Sequence, residues 1–145
     1  MKSYSVYLVK GTNLAAAEQV LKAYDDIGMR VSYSYALRDQ NRLVYEADEA
    51  FVRRLPASLA PEVATYLRDQ AMPLADHLAL FTDLRERWHS RARTRIQLAP
   101  ANLHWCSDDA LHALRDYAET YRVGLHMHVL ETPYQQEYAL SLIHI

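Results

Sequence analysis

The chain has 145 residues, half of them apolar and 23% charged, with a mean hydropathy of -0.27, which excludes a disordered or fibrous protein and fits one soluble globular unit. A formal charge of -2 and a pI near 6.4 supply no overall field to gather nucleic acid or an anionic membrane surface. One cysteine, Cys106, allows no internal disulfide, and with no secretory leader pattern and no apolar run near the roughly 18 to 20 residues that span a bilayer, a reducing cytoplasm is the expected compartment.

From Asn13, the positions Leu14, Ala17, Val20, Leu21, Tyr24 and Ile27 recur at helical spacing, with Asn13 as N-cap and Gly28 as the stop. Met29 to Ala36 alternates Val31, Tyr33 and Tyr35 against Ser32 and Ser34, which predicts a strand ending in the polar loop Arg38-Asp39-Gln40-Asn41. Helix formers fill Asp48 to His89, and Pro56, Pro61 and Pro73 divide them into two or three short helices starting at or near prolines. Thr94 to Ala99 alternates again and Pro100-Ala101-Asn102 ends it, as a second strand would.

Ser107 is placed as an N-cap, with Asp108 and Asp109 in the anion-favouring first turn and Leu111, Leu114, Tyr117, Ala118 and Tyr121 as the apolar stripe of a helix. Val123 to Leu130 reads as a compact apolar strand interrupted by Gly124, His126 and His128. Thr132-Pro133-Tyr134-Gln135 then supplies an N-cap, a first-turn proline and a capping-box glutamine that open another helix. Strands alternating with helices predict an α/β protein with a parallel sheet, and three strands are too few to close a barrel.

Side chains alternate along a strand, so His126 and His128 point to one side, where buried imidazoles need partners. His128 is followed by Glu131 just before a helix, the rim position at which barrel enzymes place their chemistry. The residues also admit a plainer reading, in which the histidines are hydrogen-bonded structural groups and Glu131 answers the helix dipole. Arg38, Asp39 and Cys106 carry no assigned role by spacing alone.

The run Gly124-Leu125-His126-Met127-His128-Val129-Leu130-Glu131-Thr132 resembles the fifth-strand signature of the cytosine-deaminase-like and chlorohydrolase-like branch of the amidohydrolase superfamily. Pro100-Ala101-Asn102-Leu103-His104-Trp105-Cys106-Ser107 resembles that family's fourth-strand loop, and Gly28-Met29-Arg30-Val31 its third strand. The resemblance implies a partial (β/α)8 TIM barrel covering roughly strands 3 to 5, within residues 1–139. It implies His128 as a metal ligand, with zinc or iron as the divalent ion, and Glu131 as the catalytic proton carrier. Asn102, His104, Trp105 and His126 are the implied substrate-binding residues.

The implied activity is that of a deaminase-type hydrolase opening carbon-nitrogen bonds other than peptides in a small cyclic or heterocyclic amine or amide. Its partner is a small molecule, with no nucleic acid and no membrane, and the full-length parent is read as a homo-oligomer. The family's first-strand His-x-His, sixth-strand histidine and eighth-strand aspartate have no counterpart in these residues, so the metal site is incomplete here and the segment alone is expected to be inactive. The alternative is a small α/β module that binds nucleic acid through Arg85, Arg87, Arg91, Arg93 and Arg95 with Trp88 and His89 between them.

Leu140-Ser141-Leu142-Ile143-His144-Ile145 departs abruptly from the resemblance and is similar to an in-frame translation of a transposon-end sequence used in building sequencing libraries, so residues 140–145 are read as a non-native tail. The natural protein is then expected to be longer, this chain being roughly a third of a barrel that needs about 250 residues or more. The isolated polypeptide, with unpaired sheet edges, is expected to aggregate or remain partly unfolded, and a soluble monomer with a sharp cooperative melt contradicts that.

Overall fold

The computed structural model describes the backbone of residues 3–6 and residues 14–143. The elements are β1 (Ser3–Val6), α1 (Leu14–Asp26), β2 (Val31–Leu37), α2 (Asp48–Arg53), α3 (Ala60–Asp69), α4 (Leu74–Trp88), β3 (Thr94–Pro100), α5 (Asp108–Tyr121) and α6 (Pro133–Ile143). β1, β2 and β3 form a parallel sheet in that order, Ser3 opposite Ser32 and Val6 opposite Tyr35, then Val31 opposite Thr94 and Leu37 opposite Pro100. β1 was not expected from the sequence, where the first predicted element starts at Asn13: its four residues are too short for a periodic pattern to stand out.

The predicted strand over Val123 to Leu130 is corrected to an extended segment lying parallel to β3, with one bridge between Leu98 and Leu125. Leu98 donates to the Gly124 carbonyl at 3.2 Å and His126 donates back to the Leu98 carbonyl at 2.9 Å, as a parallel ladder requires. The next rung needs an amide hydrogen at position 100, and Pro100 has none. The ladder breaks there, and His128 donates instead to the Ala101 carbonyl at 3.1 Å, one residue further on.

Alternation in β2 and β3 divides the sheet. Val31, Tyr33, Leu37, Ile96 and Leu98 enter the core with Ala17 and Leu21 of α1, Leu80, Phe81, Leu84 and Trp88 of α4, and Ala110 and Leu114 of α5. The other side carries Ser32, Ser34 and Gln97, and a Cβ on Gly124 would stand only 3.3 Å from the Gln97 side chain. Helices covering one face of a parallel sheet are the outer layer of a barrel wall, and Ser32, Ser34, Gln97 and Gly124 stand on the face that a closed barrel turns inward.

Local signals act where expected. Gly28 adopts φ +72, and bonds from its N–H to the Asp25 carbonyl and from the Met29 N–H to the Tyr24 carbonyl close α1 in a Schellman turn. Asn13, the expected N-cap of that helix, lies outside the described residues. Ser107 caps α5 by accepting from the Ala110 N–H at 3.1 Å, and Pro61 and Pro73 stand at the starts of α3 and α4. α6 runs unbroken past residue 140 as far as Ile143, with Leu140 and Leu142 exposed.

His77 of α4 is buried, its ring edge-on to Tyr35 at a centroid distance of 5.1 Å. Burial lowers its pKa from 6.5 to about 4, outweighing the opposing bond to the Tyr35 backbone and the pull of Asp39. The unfolded chain therefore binds this proton near pH 6.5 and the fold only near 4, so the stability contribution is whole above 6.5 and is lost as pH falls through that window, by about 3 kcal/mol at most. In the full-length protein, His77→Phe is expected to flatten the decline in urea midpoint between pH 7 and 4.5, and an unchanged decline counts against this assignment.

Candidate functional site

Parallel strands end together, and the segments leaving β2, β3 and the 123–130 segment meet at the C-terminal edge of the sheet. The loop after β2 is sewn to the loop after β3: the N–H groups of Asp39 and Gln40 both donate to the Trp105 carbonyl, at 3.0 and 3.2 Å. Gln40 Nε2 donates to the Cys106 carbonyl at 2.9 Å and Asn41 Nδ2 to the His104 carbonyl at 2.7 Å. The Asp39 carboxylate accepts from the Ser107 N–H and hydroxyl at 2.8 and 2.5 Å, so the residue that caps α5 also ties the two loops. Above them the Arg38 guanidinium lies 3.7 Å from the Trp105 ring centre.

At the same edge the His126 and His128 rings stack at 6.1 Å with 27° between planes, as same-side residues of an extended segment do. His128 Nδ1 meets Glu131 Oε1 at 3.0 Å, with the two side chains 37% and 46% exposed. Between them Leu130 has φ +53, a left-handed turn costly for a leucine, which folds Glu131 back toward the histidine. Gln135 takes the Glu131 N–H on its Oε1 at 2.9 Å and gives its Nε2 hydrogen to Glu131 Oε2 at 3.3 Å.

That glutamine differs from its expected capping-box role. Thr132 caps α6 by accepting from the Gln135 N–H at 3.3 Å, but the Gln135 side chain returns to Glu131 and not to Thr132. Its i, i+4 spacing from Glu131 was the available clue. Tyr45 is a second site residue that no sequence pattern marks: its hydroxyl shares a hydrogen with Thr132 Oγ1 at 2.9 Å and its ring lies 4.3 Å from that of His104.

Asn102 and His104 are each 2% exposed. Asn102 Oδ1 accepts from the Trp105 N–H at 3.2 Å, whereas its Nδ2 has no hydrogen-bond partner among the described residues, nor has His104 Nε2. His104 packs between Tyr45, Trp105 at 4.4 Å and Tyr138 at 6.0 Å. Burial lowers its pKa and the Arg38 charge lowers it further, against an opposing pull from Glu131. A cavity of about 20 Å³, room for one water, is bounded by Asn102, His104, His128, Gln135 and Tyr138. Trp105 is half-buried, and Cys106 is buried with its thiol pushed up to about 11 by desolvation, donating to the Leu37 carbonyl.

The basic stretch lies toward the other end of the sheet and is engaged within the chain. Arg85 donates to the Tyr121 carbonyl, Arg87 pairs with Glu18 at 3.5 Å, and Arg91 and Arg93 share Asp25 at 3.8 and 3.0 Å. Arg95 donates to the carbonyls of His89, Arg91 and Thr94. Among the described residues no three His, Cys, Asp or Glu side chains gather as a metal shell, and no helix is long and apolar enough to cross a membrane.

Residues 6–145 match the family described as the amidohydrolase family. The chain belongs to that family. A triazine hydrolase from Arthrobacter aurescens shares its fold with a TM-score of 0.69 at 15% identity, over 100% of this chain and 29% of that one. An atrazine chlorohydrolase from Arthrobacter aurescens TC1, complexed with zinc, does so with a TM-score of 0.71 at 15% identity, over 99% and 28%. No curated protein matches in sequence. This amidohydrolase chain thus spans under a third of the length of those structures, and its sheet is a section of a (β/α)8 barrel.

Proposed function

We propose that the chain supplies part of the active site of a metal-dependent hydrolase that opens carbon-nitrogen bonds, other than peptide bonds, in a small cyclic or heterocyclic amine or amide. The observation that carries the reading is the 3.0 Å contact between His128 and Glu131 at the C-terminal edge of a parallel barrel section. A carboxylate on Nδ1 fixes the imidazole tautomer and leaves the lone pair on Nε2, the arrangement metal-binding histidines use. His128 therefore fits as one ligand, the remaining donors coming from outside the described residues. A bound zinc or iron ion supplies an acidified water and polarises the carbon under attack.

Glu131 is the proton carrier. Its two oxygens offer about four lone-pair sites, two of which His128 and Gln135 occupy, so the half-exposed carboxylate keeps capacity to take a proton and return it to the leaving nitrogen. Trp105, braced by Arg38, offers a planar wall to a ring substrate; Asn102 and His104 bring hydrogen-bonding atoms to the cavity behind it, and His126 extends the polar surface beside His128. The shared fold of a triazine hydrolase and a zinc-complexed atrazine chlorohydrolase supports a nitrogen heterocycle as substrate and zinc as the metal.

In the full-length protein, His128→Ala is expected to weaken metal affinity by at least about 10-fold, measured as metal retained against a competing chelator by elemental analysis. Glu131→Gln is expected to keep the metal and lower kcat by about 10²- to 10⁴-fold. Full metal content and turnover in His128→Ala would refute the proposal.

A further inference from the structure

We infer that Gln135 is the positioning residue that fixes the Glu131 carboxylate against His128, an inference that rests on the function proposed above. Gln135 is 6% exposed, and a buried amide must satisfy both its ends. Both ends go to one residue: Oε1 takes the Glu131 N–H at 2.9 Å and Nε2 reaches Glu131 Oε2 at 3.3 Å. The other carboxylate oxygen, Oε1, is the one on His128 Nδ1 at 3.0 Å. Glu131 is thereby held at its backbone and at both oxygens, although nearly half its side chain faces solvent.

Two features require such a grip. An exposed glutamate samples many rotamers, and holding one of them costs entropy that a single contact to a histidine does not offset. Leu130 sits in a left-handed conformation that a bulky residue keeps only where neighbouring bonds over-determine it, and the bond from the next residue's N–H to Gln135 is the neighbour that does so. Gln135 is itself rigid, because its own N–H is bonded to Thr132 Oγ1 and that oxygen also contacts the Tyr45 hydroxyl. The route runs from the start of α6 through Gln135 to Glu131 and then to His128.

A glutamine that only helps start α6 would tolerate Gln135→Glu, since a carboxylate suits a helix N-terminus. Positioning would not tolerate it, because two carboxylates would face each other where Nε2 now donates to Oε2. In the full-length protein Gln135→Glu and the near-isosteric Gln135→Met are expected to fold with unchanged metal content and to lower kcat by about 10- to 100-fold, with KM moving by less than about threefold. Crystal structures of these variants are expected to show the Glu131 carboxylate withdrawn from His128 Nδ1. Turnover within about twofold of wild type in both variants, with Glu131 still seated on His128, would overturn the inference. If wild type proves not to be a hydrolase, the proposed function fails on its own while the crystallographic position of Glu131 still decides the role of Gln135.

Discussion

Parallel pairing of β2 with β3 is the constraint from which the rest of the molecule follows. Because the register holds from Val31 opposite Thr94 to Leu37 opposite Pro100, the two strands finish at one level, and the loops that leave them have no choice but to meet. Four side chains of ordinary loop type convert that proximity into a fixed platform: Asp39 accepts from the Ser107 N–H and hydroxyl, Gln40 donates to the Cys106 carbonyl and Asn41 to the His104 carbonyl. Each such bond is worth only about 1 kcal/mol net. Their value lies in number and in geometry, since together they hold Trp105 under Arg38 and leave the edge of β3 open to the segment that carries the histidines.

That segment departs from regular structure at the place where chemistry is concentrated. Pro100 cannot donate, so the ladder between β3 and residues 123–130 ends after the Leu98 rungs and resumes one residue later at Ala101. The slip, followed by the left-handed Leu130, turns a strand into a short arc that ends with Glu131 beside His128 and delivers the chain into α6. An unbroken strand would have carried the carboxylate onward past the imidazole. Backbone departures of this kind cluster at functional sites, and here each has a nameable cause.

Much of the architecture was legible in the sequence because α1 and α5 carry an apolar stripe and four of the helices carry a punctuation mark. Gly28 ends α1, Ser107 begins α5, and Pro61 and Pro73 begin α3 and α4, all positions where one residue type has a clear conformational advantage. β1 was not legible, being four residues long, and the irregularity of 123–130 was hidden because it arises from a proline on the neighbouring strand, more than twenty residues away. At the site, the resemblance singled out His128 and Glu131, and spacing placed Gln135 at a helix start. Its grip on Glu131 and the contact of Tyr45 with His104 depend on the left-handed turn and on loop packing, which no local pattern encodes.

The proposed chemistry depends on His128 presenting an imidazole lone pair to a divalent cation at the rim of the completed barrel. Anomalous diffraction from crystals of the full-length protein, recorded above and below the absorption edge of the bound metal, addresses this directly. The expected result is an anomalous peak about 2.0–2.1 Å from His128 Nε2, with Glu131 retained beside the same ring. A metal peak remote from His128, or crystals of active protein with no metal near this edge of the sheet, would contradict it.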